Sequence, residues 1–315
     1  MLLDDARSML GSYMGKSPCP NDINEFWDKA VRELDAHNPN ATLTKVWDLP
    51  NAECFDLFFE GIGGARVHAS YARPKNTTAP CKTILMFHGY RANFREWNRL
   101  LFFVGQGFCV AALEVRGQSG LSDDNHTVSG FTQSGHIIRG AVEGDPNKLF
   151  YKNVFLDTAT LCRIVAKFPE VDEKQIFSFG GSQGGALALV AASLEPSITK
   201  TLAYCPFLSD YKRSWELDGI AYNEISTYFS FADPTHETEE AFFNTLSYID
   251  IKNLVGRIKG QVKMATGLKD ASCPPETQFA VYNHIVSKKD IILYPEHDHA
   301  DFPGIFDAAL KWFLE

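Results

Sequence analysis

Ile176-Phe177-Ser178-Phe179-Gly180-Gly181-Ser182-Gln183-Gly184-Gly185, running on into Ala186-Leu187-Ala188-Leu189-Val190-Ala191-Ala192, is the stretch on which the reading of the chain turns. The first four residues form an apolar segment that predicts a buried strand, and the last seven are good helix formers. A serine therefore stands on a strand-to-helix turn, inside Gly180-x-Ser182-x-Gly184. Such a turn is so tight that flanking side chains would collide, so glycines permit it, and the serine hydroxyl is pushed out above the sheet as a nucleophile. A glycine-rich turn that merely packs strand on helix is the blander alternative, and the flanking pattern disfavours it. A phosphate-binding loop would need a lysine after the glycines or the spacing G-x-G-x-x-G, and neither is present.

With 315 residues, 45% hydrophobic and 22% charged, the composition is that of an ordinary globular protein. We read one domain over residues 1–315, with a helical extension over 1–50 and an insertion over 209–253. Thirty basic against thirty-nine acidic residues leave a formal charge of -9, which repels polyanions, argues against nucleic acid as a partner, and suits small neutral or cationic substrates. Asp4 and Asp5 stand where a signal peptide needs basic residues, and no apolar run approaches the roughly 18 residues of a membrane span. A cytoplasmic protein with no membrane partner is expected, in which the three glycosylation sequons at Asn40, Asn76 and Asn125 carry no meaning. Seven cysteines without a C-x-x-C pair indicate neither a disulfide framework nor a cysteine zinc site, and most are expected in the core.

Residues 22–37 carry apolar side chains at helical spacing. Residues 53–60 and 65–72, split by Gly61-Ile62-Gly63-Gly64, predict an antiparallel hairpin that leads the sheet. Thr83–Phe87 reads as a strand buried on both faces, running into the loop His88-Gly89-Tyr90. His88 is either a packed histidine or a catalytic one, and no role is assigned to its ring. A helix over 97–104 and a strand over 108–113 precede Arg116-Gly117-Gln118, where an arginine at a strand end is more often a structural clamp than a catalytic group. A polar excursion over 121–147 and a helix over 153–168 lead to the nucleophile strand, and the sixth strand follows over 199–205. Residues 209–253 then break the rhythm with Trp215, Tyr222, Tyr228, Phe229, Phe231, Phe242, Phe243 and Tyr248, an aromatic-rich lid or interface whose exposed rings would form a large apolar patch on a single chain and so favour burial against a partner. Strands over 261–266 and 290–294 are each followed by a candidate, Asp270 and then His299. Ser182, Asp270 and His299 thus come in the chain order of an α/β-hydrolase triad. The fold class is α/β, a mostly parallel central sheet flanked by helices, with the aromatic insertion after the sixth strand.

Arg116-Gly117-Gln118, Gly181-Ser182-Gln183-Gly184-Gly185, Pro206-Phe207-Leu208, Thr245-Leu246-Ser247-Tyr248 and Gly267-Leu268-Lys269-Asp270 with Cys273-Pro274-Pro275 are similar to motifs of carbohydrate esterase family seven. This family comprises acetyl xylan esterases and cephalosporin-C deacetylases, and the resemblance covers nearly the whole chain. It implies Ser182 as nucleophile, His299 as base, Asp270 as its acid, and the backbone N–H groups of Tyr90 and Gln183 as the oxyanion hole. It also implies catalysis without a metal or organic cofactor, and a hexamer whose inward-facing sites admit small acetylated sugars or cephalosporins. Asp298, Ala300 and Ser119 depart from the family pattern of glycine and glutamate beside the histidine and glycine after Arg-Gly-Gln.

Two further acids lie beside His299. Asp298 is adjacent in sequence and points elsewhere on an extended chain, while Asp301 is expected to be solvated. A rival mechanism uses His297, His299 and Asp301 as part of H-x-H-x-D-H, a dinuclear zinc pattern, although Phe302 occupies its last position. A hydrolase-fold binding protein without activity is a third reading, disfavoured because all three triad residue types occur in order.

Overall fold

The computed structural model describes residues 3–77, 79–94, 96–129 and 135–315. Its strands are β1 (Thr42–Asp48), β2 (Ala52–Glu60), β3 (Arg66–Pro74), β4 (Cys81–Phe87), β5 (Cys109–Leu113), β6 (Val171–Gly181), β7 (Ile198–Tyr204), β8 (Gln261–Gly267) and β9 (Lys289–Tyr294). The helices are α1 (Leu3–Leu10), α2 (Ile23–Asp35), α3 (Asn98–Val104), α4 (Phe150–Val165), α5 (Gln183–Leu194), α6 (Tyr211–Glu216), α7 (Asn223–Phe231), α8 (Glu239–Leu246), α9 (Pro275–His284) and α10 (Ile305–Leu314).

All nine strands join one sheet in the order β1-β2-β3-β5-β4-β6-β7-β8-β9. The hairpin pairs β2 with β3 from Ala52 opposite Pro74 to Glu60 opposite Arg66. From β5 to β9 every pairing is parallel, which needs cover on both faces and explains the apolar runs over residues 84–87 in β4 and Cys109–Leu113 in β5. Helices α2, α4 and α5 contribute to the core on one face, and α3 and α10 to that on the other. Every residue of α5 is buried, as its apolar sequence on all sides requires. Trp27 of α2 is fully buried, and its indole N–H donates to the Tyr248 carbonyl at 2.9 Å, so the helix packs on the core. Emptying that site should cost about 3–5 kcal/mol.

Two sequence expectations need correction. The first 50 residues are not a purely helical extension: Thr42–Asp48 is an edge strand paired antiparallel with β2, and the insertion therefore follows the seventh strand. Every β1 residue is exposed, so no buried face left an apolar period to read, and the strand exists through its ladder to β2. The aromatic residues of 209–253 also do not form an exposed patch. Tyr222, Tyr228, Phe229, Phe242 and Phe243 are buried, and Phe231 alone of the group is strongly exposed. Their rings stack on one another, as Tyr228 does on Phe242 with centroids 4.7 Å apart, and the group is continuous with the core built by α2, α4 and α5.

Six of the seven cysteines are buried, Cys19 is exposed, and all are free thiols. Among the described residues no helix is long and apolar enough to cross a membrane.

Candidate active site

Three strand ends meet at the carboxyl edge of the parallel sheet, where this fold class binds ligands. Ser182 directly follows β6 with φ 57° and ψ −124°, a backbone conformation that L residues rarely adopt. Missing side chains allow the turn to close: a Cβ on Gly184 would overlap the Phe87 carbonyl, and one on Gly180 would overlap that of Gly184. The Ser182 N–H donates to the Tyr204 carbonyl at 3.0 Å, and its own carbonyl accepts from Ala186 at 3.0 Å and Phe207 at 3.1 Å. The strained residue is thereby held by β7, α5 and the segment after β7.

His299 and Asp270 follow β9 and β8. His299 Nδ1 lies 2.8 Å from Asp270 Oδ2, and Nε2 lies 2.9 Å from Ser182 Oγ. A carboxylate only accepts, so Nδ1 carries the proton and Nε2 is the acceptor facing the serine hydroxyl. Asp270 is buried and also accepts from the Ser272 N–H at 2.9 Å, the Cys273 N–H at 2.8 Å and Gln278 Nε2 at 3.1 Å. These donors satisfy a charge withdrawn from water and fix it behind the imidazole. Gln278, on α9, was missed from sequence. Its only cue is the preceding Pro274-Pro275, a pair suited to starting a helix.

The neighbouring acids go elsewhere. Asp298 is exposed. Asp301 is not simply solvated: it accepts from Arg99 Nη2 at 3.1 Å and from the Tyr204 phenol at 2.6 Å. His297 packs edge-on against Tyr294, with ring centroids 5.4 Å apart. Among the described residues, the group placed to hold a metal is Cys205, Asp270 and His299, with ligand atoms within 4.8 Å of one another. His297 and Asp301 are outside it, so the zinc pattern read in the tail is not assembled in space. Asp270 and His299 are already bonded to each other, and His299 to Ser182.

Tyr90 lies in the loop after β4 and Gln183 opens α5. The buried Gln183 side chain accepts from the Tyr151 phenol at 2.6 Å and from Gln118 Nε2 at 2.8 Å, and it donates to Gln118 Oε1 at 3.1 Å and to the His88 and Gly89 carbonyls at 3.4 Å each. Gln118 Oε1 in turn accepts the Arg91 N–H at 2.9 Å, while Ser119 Oγ donates to the Arg91 carbonyl. Arg91 itself has φ 60°. The loop carrying Tyr90 is thus pinned to the start of α5 and to the segment after β5.

Arg116 is a clamp, fully buried, with Nε and Nη2 donating to Asp157 at 2.7 and 2.6 Å and Nη1 to the Ile62 carbonyl at 3.1 Å. His88 donates from Nδ1 to the Gly89 carbonyl at 2.8 Å and accepts the Val115 N–H on Nε2 at 3.0 Å. Burial lowers its pKa, and both nitrogens are spent on the main chain, so the ring is structural. Glu224 of α7, which no sequence signal marks, is buried and accepts from the Tyr90 phenol and the Ile137 N–H. Burial pushes its carboxyl up to about 7.

Met86, Tyr90, Arg91, Ser182, Ile220 and His299 are among the lining of a pocket of about 580 Å³ above the serine, a size suited to a small molecule.

Comparison with known proteins places the whole chain in one family. The model of the acetyl xylan esterase (AXE1) family matches residues 1–315. The chain belongs to the acetyl xylan esterase family. This is a family of carboxylic ester hydrolases on the α/β-hydrolase fold. The crystal structure of acetyl xylan esterase 1 from Thermoanaerobacterium sp. JW/SL YS485 is 46% identical with a TM-score of 0.94, over 100% of this chain and 98% of that one. The acetyl xylan esterase from Paenibacillus sp. R4 is 33% identical with a TM-score of 0.93, over 100% and 99%. Acetyl esterase Axe7A of Xylanibacter ruminicola is 27% identical over 89% of this chain, and the match spans 63% of that longer protein.

Proposed function

We propose that this member of the acetyl xylan esterase family is a serine esterase that removes short acyl groups, chiefly acetyl, from small substrates such as acetylated xylo-oligosaccharides and cephalosporin C. One observation carries the reading: Asp270, His299 and Ser182 form a continuous hydrogen-bonded relay whose serine opens into a pocket. In the reaction, His299 Nε2 takes the Ser182 proton as Oγ attacks the acetyl carbonyl carbon. Asp270 holds the tautomer and stabilises the imidazolium. The backbone N–H groups of Tyr90 and Gln183 receive the charge that develops on the carbonyl oxygen. Collapse returns the proton to the leaving alcohol and leaves an acetyl ester on Ser182, which water, deprotonated by His299, cleaves to acetate.

Activity in the cytoplasm and assembly into a hexamer belong to the same proposal. Light scattering that found a stable monomer at micromolar concentration would remove the hexamer, and the buried aromatics of the insertion lend it no support. The decisive experiment is a panel of acetyl, propionyl and butyryl esters on several alcohols, assayed with the native enzyme and Ser182→Ala. Native turnover should favour acetyl, and the variant should lose about 10⁶ in kcat while remaining folded. Substantial turnover by the purified variant would refute the assignment.

A further inference from the structure

Three segments from different parts of the chain converge on one buried carboxyl group beside the pocket. Glu224 is 8% exposed and lies on α7, within the insertion. It accepts from the Tyr90 phenol, and its Oε2 accepts the Ile137 N–H at 3.0 Å. The insertion is thereby joined to the loop after β4 and to the segment that precedes α4. The Tyr90 ring reaches the carboxyl through a fitted slot. Gly135, at φ 93°, lies where any Cβ would overlap the phenol ring. On another side Phe207 packs edge-on with centroids 5.1 Å apart, and its N–H is the one bonded to the Ser182 carbonyl. Tyr90 is therefore anchored at its far end while its main chain lies beside the pocket.

An apolar residue at 224 would pack as well and avoid the cost of burying a carboxyl group. What a carboxylate adds is acceptance of two donors from two loops at once. Fixing the Tyr90 main chain matters because an oxyanion donor acts only within hydrogen-bond reach of the developing charge. A displacement of about 1 Å in such a group can lower the rate by roughly 10².

We infer that Glu224 is a positioning residue for the hydrolysis: by holding the Tyr90 phenol it fixes the main chain of the oxyanion loop, so the insertion helps to set turnover. This rests on the reading of Tyr90 as an oxyanion residue. The titratable and charged groups that act on Glu224 or feel its charge are Tyr90 and Arg91 of that loop, Tyr151 of α4 and Tyr211 of α6. Burial, with the Glu224 charge adding to it, raises all three phenols, so they stay neutral. Burial carries Glu224 itself up to about 7 against the opposing pull of the Tyr90 phenol, the Ile137 N–H and the Arg91 cation. Near neutrality the anchor therefore changes from an acceptor of two donors to a group that must place a proton of its own between them.

The test compares kcat and KM for 4-nitrophenyl acetate on either side of pH 7, using Glu224→Ala, Glu224→Gln, Tyr90→Phe and the Glu224→Ala/Tyr90→Phe double variant. Glu224→Ala should lower kcat about 10- to 100-fold with KM within about twofold, because the defect lies in the transition state. Tyr90→Phe should fall similarly, and the double variant should be no slower than the slower single one. Glu224→Gln, able to accept from Ile137 while donating to the Tyr90 oxygen, should recover most of the rate and remove the Glu224 contribution to the pH dependence of kcat near 7. Unchanged kcat in Glu224→Ala, additive losses, or a loss confined to KM would overturn the inference. If Glu224→Ala fails to fold, wild-type kcat in Tyr90→Phe overturns it instead. Labelling of Ser182 by a fluorophosphonate separates the two levels: no labelling of the native enzyme sinks the esterase reading itself, whereas full labelling with an unaffected Glu224→Ala sinks only this inference.

Discussion

Asp157→Asn is the sharpest test of the Arg116 clamp. Arg116 is 0% and Asp157 1% exposed, and the two meet through paired bonds of 2.7 and 2.6 Å. Gly61 makes room for them, since a Cβ there would overlap both the guanidinium and the carboxylate. Burial raises the Asp157 pKa, and the Arg116 charge opposes that rise. Asparagine keeps the shape, removes the charge and turns an NH₂ toward the guanidinium, leaving a buried cation without a counter-ion. Breaking a buried pair in this way costs about 3–5 kcal/mol. With an unfolding entropy of about 2.1 cal/mol/K per residue over 315 residues, each kelvin is worth about 0.66 kcal/mol, so Tm should fall by about 5–8 °C.

Thermal unfolding followed by circular dichroism measures that shift, and initial rates well below Tm measure the other half of the claim. A clamp that bonds to no triad residue and does not line the pocket should leave kcat within about twofold. The Arg116→Met/Asp157→Leu pair should recover much of the lost stability, because neither charge remains to be buried. A Tm change under about 1 °C would refute the energetic argument. A collapse of kcat in a fully folded Asp157→Asn protein would make Arg116 a catalytic group.

Asp270→Asn should lower kcat by about 10⁴, by the tautomer argument known from serine proteases, while Asp298→Asn and Asp301→Asn change kcat/KM far less; the reverse order would reassign the triad. Gly184→Ala drives a methyl group into the Phe87 carbonyl and should cost about 3 kcal/mol or more, seen as a lowered urea midpoint or loss of soluble protein. Glu224 offers a pH test with a definite sign, because its carboxyl is raised from 4.5 to about 7 in the folded chain. Its contribution to stability is whole below the unfolded value and is lost as pH climbs through the folded one, a change of about 3 kcal/mol. Urea midpoints at about pH 5 and about pH 8 should therefore shift in favour of Glu224→Gln at the higher pH, and a constant difference would mean that Glu224 does not titrate there.

The site was legible where chemistry coincides with a strand end. Ser182, Asp270 and His299 each follow a segment whose apolar run announces a parallel strand, largely buried in β6 and β8 and only half-buried in the edge strand β9, and chain order then assigns their roles. The sheet was legible for the same reason, except for β1, whose residues are all exposed and leave no burial pattern. Exposure of the insertion's aromatics was misjudged because composition cannot say whether rings face outward or one another; Trp215, Phe229 and Phe243 pack together with centroids 5.2 to 6.1 Å apart. Asp301 was read as solvated because Arg99 and Tyr204 lie 202 and 97 residues away along the chain. Glu224 was invisible, since its partners are 134 and 87 residues distant.

The side chains that support these loops share a physical origin. Loops at the carboxyl edge of the sheet leave the ladder and carry main-chain donors into a partly buried region, where unpaired N–H groups are costly. Side-chain acceptors meet that need: Gln118 takes the Arg91 N–H, His88 that of Val115, Glu114 those of Phe94 and Leu121, Asp270 those of Ser272 and Cys273, and Glu224 that of Ile137. Such acceptors are chosen by the loop they satisfy, so they have no fixed spacing from the nucleophile and form no motif of their own. Asp270 is the exception because the acceptor for two loop amides is also the acceptor for the His299 ring. Where loop support and chemistry fall on one residue the sequence displays it, and where they fall on different residues, as with Glu224 and Tyr90, only the folded arrangement does.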